Sequence, residues 1–237
     1  MQVNKTKTRL KVCGITRLSD LRAAVAAGAD ALGWVFYPPS PRYQTAQQAA
    51  ALVQALPPFV QSVGLFVNAS LAEIQNVLAH VPLDLLQFHG DETPQQCAEL
   101  AAAVGRPFMR ACRVKADTNG ADLLEYEASY RQASPWFRAL LLDTHVTGYG
   151  GSGKVFDWSI IPKELAPRVV LSGGLSAQNV GEALERVRPF ALDVSSGVEA
   201  EDEHGQPLKG IKDPHKIWQF SQAVRDFDTK QDLFKPL

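Results

Sequence analysis

The sequence predicts a single-domain α/β protein, a (β/α)8 TIM barrel, and three observations carry that reading. Short β-branched or apolar runs alternate with longer Ala/Leu/Gln-rich segments, and the alternation recurs eight times. Most of the unusual polar residues stand directly after one of those apolar runs. No Pro/Gly/Ser-rich linker divides the 237 residues. Strict strand–helix alternation calls for a parallel sheet, and eight repeats are the number that closes one into a barrel. The competing architecture is an open, doubly wound sheet. The barrel is expected over residues 9–228, with a flexible N-terminal tail at 1–8 and a C-terminal tail at 229–237.

Each element has a local reason. In the first strand, Leu10–Cys13, a period of two turns Leu10 and Val12 one way and Lys11 and Cys13 the other, and Gly14 breaks it. A helix near 19–28 follows. The second strand, Ala31–Phe36, ends at Tyr37-Pro-Pro-Ser-Pro-Arg42 and leads to a helix near 45–55. After the third strand, Gln61–Val67, Ser70 with Glu73 makes a capping box for a helix near 70–80. After the fourth, Leu83–Phe88, Thr93 and Pro94 supply a capping hydroxyl and the residue suited to the first helical position, opening a helix near 94–104. Strand Phe108–Val114, a helix near 119–130, strand Ala139–Asp143 and a helix near 157–162 extend the pattern. Arg168–Ser172 and Ala191–Val194 are the last strands, with Ser176 and Asp213-Pro214 starting helices near 176–187 and 214–227. The polar stretch Ala200–Lys209 reads as a solvated loop.

Composition narrows the function. A hydrophobic content of 46% suits a substantial core. The formal net charge of -1 gives no electrostatic reason to expect nucleic acid or an anionic membrane as partner. Three cysteines, Cys13, Cys97 and Cys112, are few, widely spaced and odd in number, which suits a reducing compartment rather than a disulfide framework. No CxxC or HExxH pattern suggests a metal. The polar, basic opening MQVNKTKTR has no apolar core behind it, and no apolar run is long enough to span a bilayer. A cytoplasmic protein acting on a small molecule is expected, with monomer and homodimer equally open.

The residues that follow the strands carry the chemistry. They are Cys13, Arg42, Asn68, His89 with Gln87 and Asp91, Arg113, Asp143, Ser172-Gly173-Gly174, and Asp193 with Ser195-Ser196-Gly197. In a barrel all of them meet at the carboxyl-end rim, where active sites are built. Gly173 and Gly174 let main-chain N–H groups approach a ligand, and Ser195, Ser196 and Gly197 add hydroxyls and a further close approach. Loops after the seventh and eighth strands are a frequent phosphate site in barrels. GYGGSGK (148–154) is not a Walker loop, because Val155 stands where Ser or Thr is required. It reads as a mobile cover, with Lys154 near the phosphate.

Arg42, in a loop stiffened by Pro38, Pro39 and Pro41, offers a planar fork suited to a carboxylate. Cys13 as thiolate is a good base, and Lys11 on the same face is expected to lower its pKa by Coulomb attraction. Asp143, if it keeps its proton, is an acid. A group that takes a proton and another that gives one, on different strands of one barrel, suit an isomerisation.

At these residues the chain resembles the phosphoribosylanthranilate isomerase family of tryptophan biosynthesis. The resemblance runs in order through KVCGITR, GWVFYPPSPRY, VGLFVN, LLQFHGDE, LLLDT, GGSGKVFDW, LSGGLSAQNV, DVSSGVE and GIKD. It implies a (β/α)8 barrel with no metal or organic cofactor, converting N-(5-phospho-β-D-ribosyl)anthranilate to 1-(2-carboxyphenylamino)-1-deoxy-D-ribulose 5-phosphate. It further implies Cys13 as general base, Asp143 as general acid and Arg42 on the anthranilate carboxylate. The SGGL glycines and DVSSG serines resemble the family's phosphate anchor, and from their place at the strands Lys11, His89 and Asp193 are expected to join the substrate site. Two departures are the longer stretch EAEDEHGQPL before KGIKD and Ser172, where the family usually has Ala. The rival readings are the histidine-pathway isomerase, which uses two aspartates for the same chemistry, and a silent barrel that binds a phosphorylated metabolite.

Overall fold

The computed structural model describes residues 7–144 and 156–233. Its eight parallel strands close into a barrel in sequence order: β1 (Arg9–Cys13), β2 (Ala31–Val35), β3 (Gln61–Phe66), β4 (Leu85–Phe88), β5 (Phe108–Val114), β6 (Phe137–Thr144), β7 (Val169–Leu171) and β8 (Ala191–Val194). Around it lie α1 (Leu18–Ala26), α2 (Ala46–Val53), α3 (Leu71–Leu78), α4 (Pro94–Val104), α5 (Gly120–Ala133), α6 (Val180–Val187) and α7 (Pro214–Leu233). Thr45, Ser70, Thr93 and Asn119 close capping boxes at the starts of α2 to α5. Each such cap is worth about 1 kcal/mol.

Strand periodicity sorts the side chains into two cores. Outward-facing Val12, Leu32, Trp34, Phe66, Phe88, Phe108, Leu140 and Leu142 pack against helix residues such as Leu21, Ile74, Val180 and Phe220. Inward-facing Val63, Met109, Ala111, Leu141, Val170 and Ala191 fill the barrel's lower interior. The same parity, one layer higher, turns Cys13, Gln87, Asp143 and Asp193 toward the carboxyl-end opening. Register sets Cys13 beside Gly33, Lys11 beside Asp193 and Arg113 beside Asp143.

Four expectations are corrected. The sixth helix, expected near 157–162, is a single 3-10 turn, Trp158–Ile160, before Pro162, and a second turn at Ala166–Arg168 leads into β7. Prolines at 162 and 167 leave no room for an uninterrupted helix between them and β7. The polar stretch 200–209 is not a free loop. It belongs to an antiparallel pair, β9 (Glu199–Glu201) and β10 (Pro207–Lys212), whose turn is held by Asp202 Oδ1 accepting from the His204 and Gln206 amides at 2.9 and 2.8 Å. Helix α7 continues to Leu233, five residues into the expected C-terminal tail. Thr8, assigned to the N-terminal tail, is buried and bound through its amide and hydroxyl to Asp228 at 2.8 and 2.9 Å. The GYGGSGK segment with Lys154 and the outer parts of both tails lie outside the described residues.

Candidate active site

The carboxyl-end pocket is lined from the strands by Cys13, Val35, Leu65, Gln87, Asp143, Ser172 and Asp193. The loops add Tyr37, Ser40, Arg42, His89, Gly173, Gly174, Leu175, Ser195 and Ser196. Nine of the eleven site residues expected from sequence therefore meet at one opening.

Lys11 and Gly197 do not. Lys11 lies one layer below Cys13, and its ammonium donates to Asp193 Oδ1 at 2.8 Å, both groups being buried. It lines the opposite opening of the barrel, so its part in this site is to neutralise Asp193 beneath the thiol. A Cβ on Gly197 would stand 1.9 Å from the Leu175 carbonyl oxygen. The close approach that this glycine permits is therefore between the loops after β7 and β8, not to a ligand.

Cys13 owes its seat to two other glycines. A side chain on Gly33 would meet Cys13 Sγ at 2.8 Å and its Cα at 3.2 Å. Gly14, at φ +78°, turns the chain off β1 and leaves room for the Arg42 side chain, whose Cδ would lie 2.5 Å from an added Cβ. Burial pushes the Cys13 thiol above its ordinary range, and the Asp193 carboxylate adds to the rise. Lys11 does pull it down, as the sequence suggested, but burial outweighs that attraction, so the expected lowering is reversed.

Asp143 is the penultimate residue of β6, with a neighbour at each carboxylate oxygen. Oδ1 accepts from the Thr144 amide at 2.9 Å, and Oδ2 lies 3.3 Å from His89 Nε2. Gly173 makes this seat. Its φ is +85°, and a Cβ there would stand 2.5 Å from the Thr144 nitrogen and 2.7 Å from Asp143 Oδ1. Its bareness thus serves the carboxylate as well as any ligand.

Arg42 is not the free fork that an exposed loop would give. It is buried, with Nε donating to Glu199 Oε1 at 2.7 Å and Nη2 to Oε2 at 2.9 Å. Those bonds leave three of its five N–H groups for a ligand. Glu199 Oε1 also accepts from the Gly210 amide at 2.9 Å and lies 3.3 Å from Lys212 Nζ. Despite burial, these cations and hydrogen bonds hold the Glu199 carboxyl below its usual value. Lys212, almost wholly buried, is pushed down to about 8 by that burial, opposed by Glu199. Its ammonium donates to the Ser195 carbonyl at 3.0 Å and hydroxyl at 3.2 Å, while that hydroxyl donates to the Cys13 carbonyl at 3.1 Å. Ser196 opens a 3-10 turn, Ser196–Val198.

Sequence reasoning missed Gly33, Glu199 and Lys212 as site-forming residues and left Gln87 without a role. Three of these four were legible. Glu199 and Lys212 stand in the quoted DVSSGVE and GIKD segments, and strand parity turns Gln87 inward. Asp193 has Lys11 on one oxygen and the Ser172 hydroxyl at 3.5 Å from the other, which gives the unusual Ser172 a partner. Among the described residues no His/Cys/Asp/Glu cluster suits a metal ion, and no helix is long and apolar enough to cross a membrane.

Residues 10–223 match the family model for N-(5'-phosphoribosyl)anthranilate (PRA) isomerase. The N-(5'-phosphoribosyl)anthranilate isomerase of Herminiimonas arsenicoxydans is 61% identical over 222 residues, covering 94% of this chain and 95% of that protein. The crystal structure of phosphoribosyl anthranilate isomerase from Thermotoga maritima superposes with a TM-score of 0.78 at 41% identity, covering 92% of this chain and 99% of that one. A further phosphoribosyl anthranilate isomerase structure, in complex with reduced 1-(o-carboxyphenylamino)-1-deoxyribulose 5-phosphate, gives a TM-score of 0.75 at 39% identity and covers 92% and 99% of the two chains. The ordered motifs, the closed barrel and the match over nearly its whole length place this chain in the phosphoribosylanthranilate isomerase family.

Proposed function

We propose that the chain isomerises N-(5-phospho-β-D-ribosyl)anthranilate to 1-(2-carboxyphenylamino)-1-deoxy-D-ribulose 5-phosphate, with Cys13 and Asp143 moving the protons. One observation carries the assignment of roles. A thiol from β1 and a carboxyl from β6 line a single pocket that also holds a guanidinium and the Ser195–Ser196 loop. Such a pocket offers one partner for each part of the substrate: Arg42 for the carboxylate, the loops after β7 and β8 for the phosphate, and the acid–base pair for the sugar.

The proton steps follow from the bonds that change. Asp143 gives its proton to the furanose ring oxygen as the anilinic nitrogen's lone pair breaks the C1–O bond, leaving an open-chain Schiff base. Cys13, as thiolate, takes the proton from C2, and the electron pair moves through C1 to nitrogen. The enolamine then becomes the ketone by losing its hydroxyl proton and gaining one at C1, so the formula is unchanged. Positioned acids and bases contribute about 10²–10⁴-fold each. The setting proposed is the cytoplasm, where free thiols such as Cys13, Cys97 and Cys112 persist.

The direct test supplies the substrate from anthranilate and phosphoribosyl pyrophosphate through the upstream transferase and follows its fluorescence. Rapid loss of the signal on adding the protein, with appearance of the ribulose product, is expected. An unaltered decay would refute the assignment.

A further inference from the structure

We propose that Gln87 is a positioning residue for this reaction, its amide nitrogen holding the His89 ring in the tautomer that presents an N–H to Asp143. The inference rests on Asp143 being the acid that the preceding reading makes it. Gln87 projects from β4 into the barrel and is fully buried. Its Nε2 lies 2.9 Å from His89 Nδ1. A primary amide nitrogen only donates, so Nδ1 accepts, and the proton of the neutral ring sits on Nε2. Nε2 faces Asp143 Oδ2 at 3.3 Å, while the Thr144 amide holds Oδ1 at 2.9 Å. Gln87, His89 and Asp143 thus form one chain that ends on the reacting carboxyl.

The other end of the amide shows that this contact is not incidental packing. Gln87 Oε1 is buried with no hydrogen-bond partner. Such an orphan acceptor is ordinarily destabilising. A leucine would fill the same layer beside Val35 and Leu65 without that cost. What the amide gives in return is a donor aimed at Nδ1. Turned over, it would accept from an Nδ1–H and leave Nε2 with a bare lone pair toward Asp143. With the nitrogen inward, the ring's N–H is on the Asp143 side, 3.3 Å from a carboxylate that gains charge on giving up its proton. Besides His89, the pocket places Cys13, Arg42 and Asp193 around the same space.

The test combines spectroscopy with kinetics. Long-range ¹H–¹⁵N spectra of the unmodified protein should show His89 protonated at Nε2 and bare at Nδ1. In Gln87→Glu the new carboxylate should draw a proton onto Nδ1. Gln87→Leu should lower kcat about tenfold while KM moves less than about twofold, the split expected when an interaction acts only on the chemical step. Placed in a His89→Asn background, the same substitution should cost less than about twofold more, because its effect passes through the ring. A proton on Nδ1 in the unmodified protein would overturn the proposal whether or not the variants fold. An unchanged kcat in Gln87→Leu, or losses that multiply independently in the double variant, would overturn it too. Turnover by the unmodified protein and its loss in Asp143→Asn test the underlying reading separately.

Discussion

The guanidinium of Arg42 and the carboxylate of Glu199 meet through two parallel hydrogen bonds, Nε to Oε1 at 2.7 Å and Nη2 to Oε2 at 2.9 Å. The pair joins the loop after β2 to the hairpin of β9 and β10. It fixes the arginine by a residue that stands 157 positions away in the chain. Glu199→Gln removes the charge that faces both Arg42 and Lys212. Breaking a buried pair in this way costs about 3–5 kcal/mol. Urea unfolding should show a loss in that range, and KM should rise about tenfold with kcat nearly kept, as for lost substrate positioning. An unchanged KM would separate the hairpin from the Arg42 role.

Because burial raises the Cys13 pKa, the thiol rather than the thiolate is the resting form at neutral pH. The base is the thiolate, whose fraction should increase about tenfold per pH unit until the pH passes the raised value, then level off. Lys11→Met removes the attraction that opposes burial and should move that limb to higher pH. The rate of thiol alkylation by iodoacetamide reads the thiolate directly and should follow the same curve. A limb below the ordinary cysteine range, near pH 8.5, would contradict the sign.

Gly33→Ala puts a methyl 2.8 Å from Cys13 Sγ and 3.2 Å from both its Cα and Lys11 Cε. Overpacking of this kind costs about 1–3 kcal/mol. A displaced base should also lower kcat by about 10²-fold if the shift approaches an ångström. Chemical denaturation and steady-state kinetics measure the two effects. Full activity in a folded Gly33→Ala protein would show that the thiol does not need this seat.

Two glycines with similar backbone angles should respond differently. Gly173, at φ +85°, and Gly205, at φ +74°, both occupy the left-handed region. An added Cβ meets Asp143 and Thr144 at the first and nothing within 4 Å at the second. Gly205→Ala should cost about 1 kcal/mol of stability with kcat unaltered, through backbone strain alone. Gly173→Ala should lose kcat severely. Equal kcat in the two variants would contradict the role of Gly173 in seating Asp143.

The strands were legible because each pairs an apolar run with a period of two, and β5 and β8 fall on the expected residues, Phe108–Val114 and Ala191–Val194. The gathering of Cys13, Asp143, Arg42 and the Ser195–Ser196 loop was legible for the same reason, since strand ends share one rim. The sixth helix was misread because Phe156 to Ile161 is apolar enough to suggest a helix, while Pro162 ends the segment after one turn. The hairpin escaped notice because β9 is only Glu199–Glu201, and the buried Glu199 pairs with Arg42 rather than with water. The pairing of Arg42 was not legible for the matching reason: its partner is remote in sequence. The sign of Lys11's influence on Cys13 is legible from their shared face, but the size of the burial effect depends on the closed barrel around both.

The most direct measurement compares Cys13→Ser and Asp143→Asn with the unmodified protein in turnover and in binding of reduced 1-(o-carboxyphenylamino)-1-deoxyribulose 5-phosphate. If these two groups carry the protons, kcat falls by about 10²–10⁴-fold in each variant while the analogue still binds. Near-normal turnover in either variant would remove that residue from the chemistry and contradict the assignment.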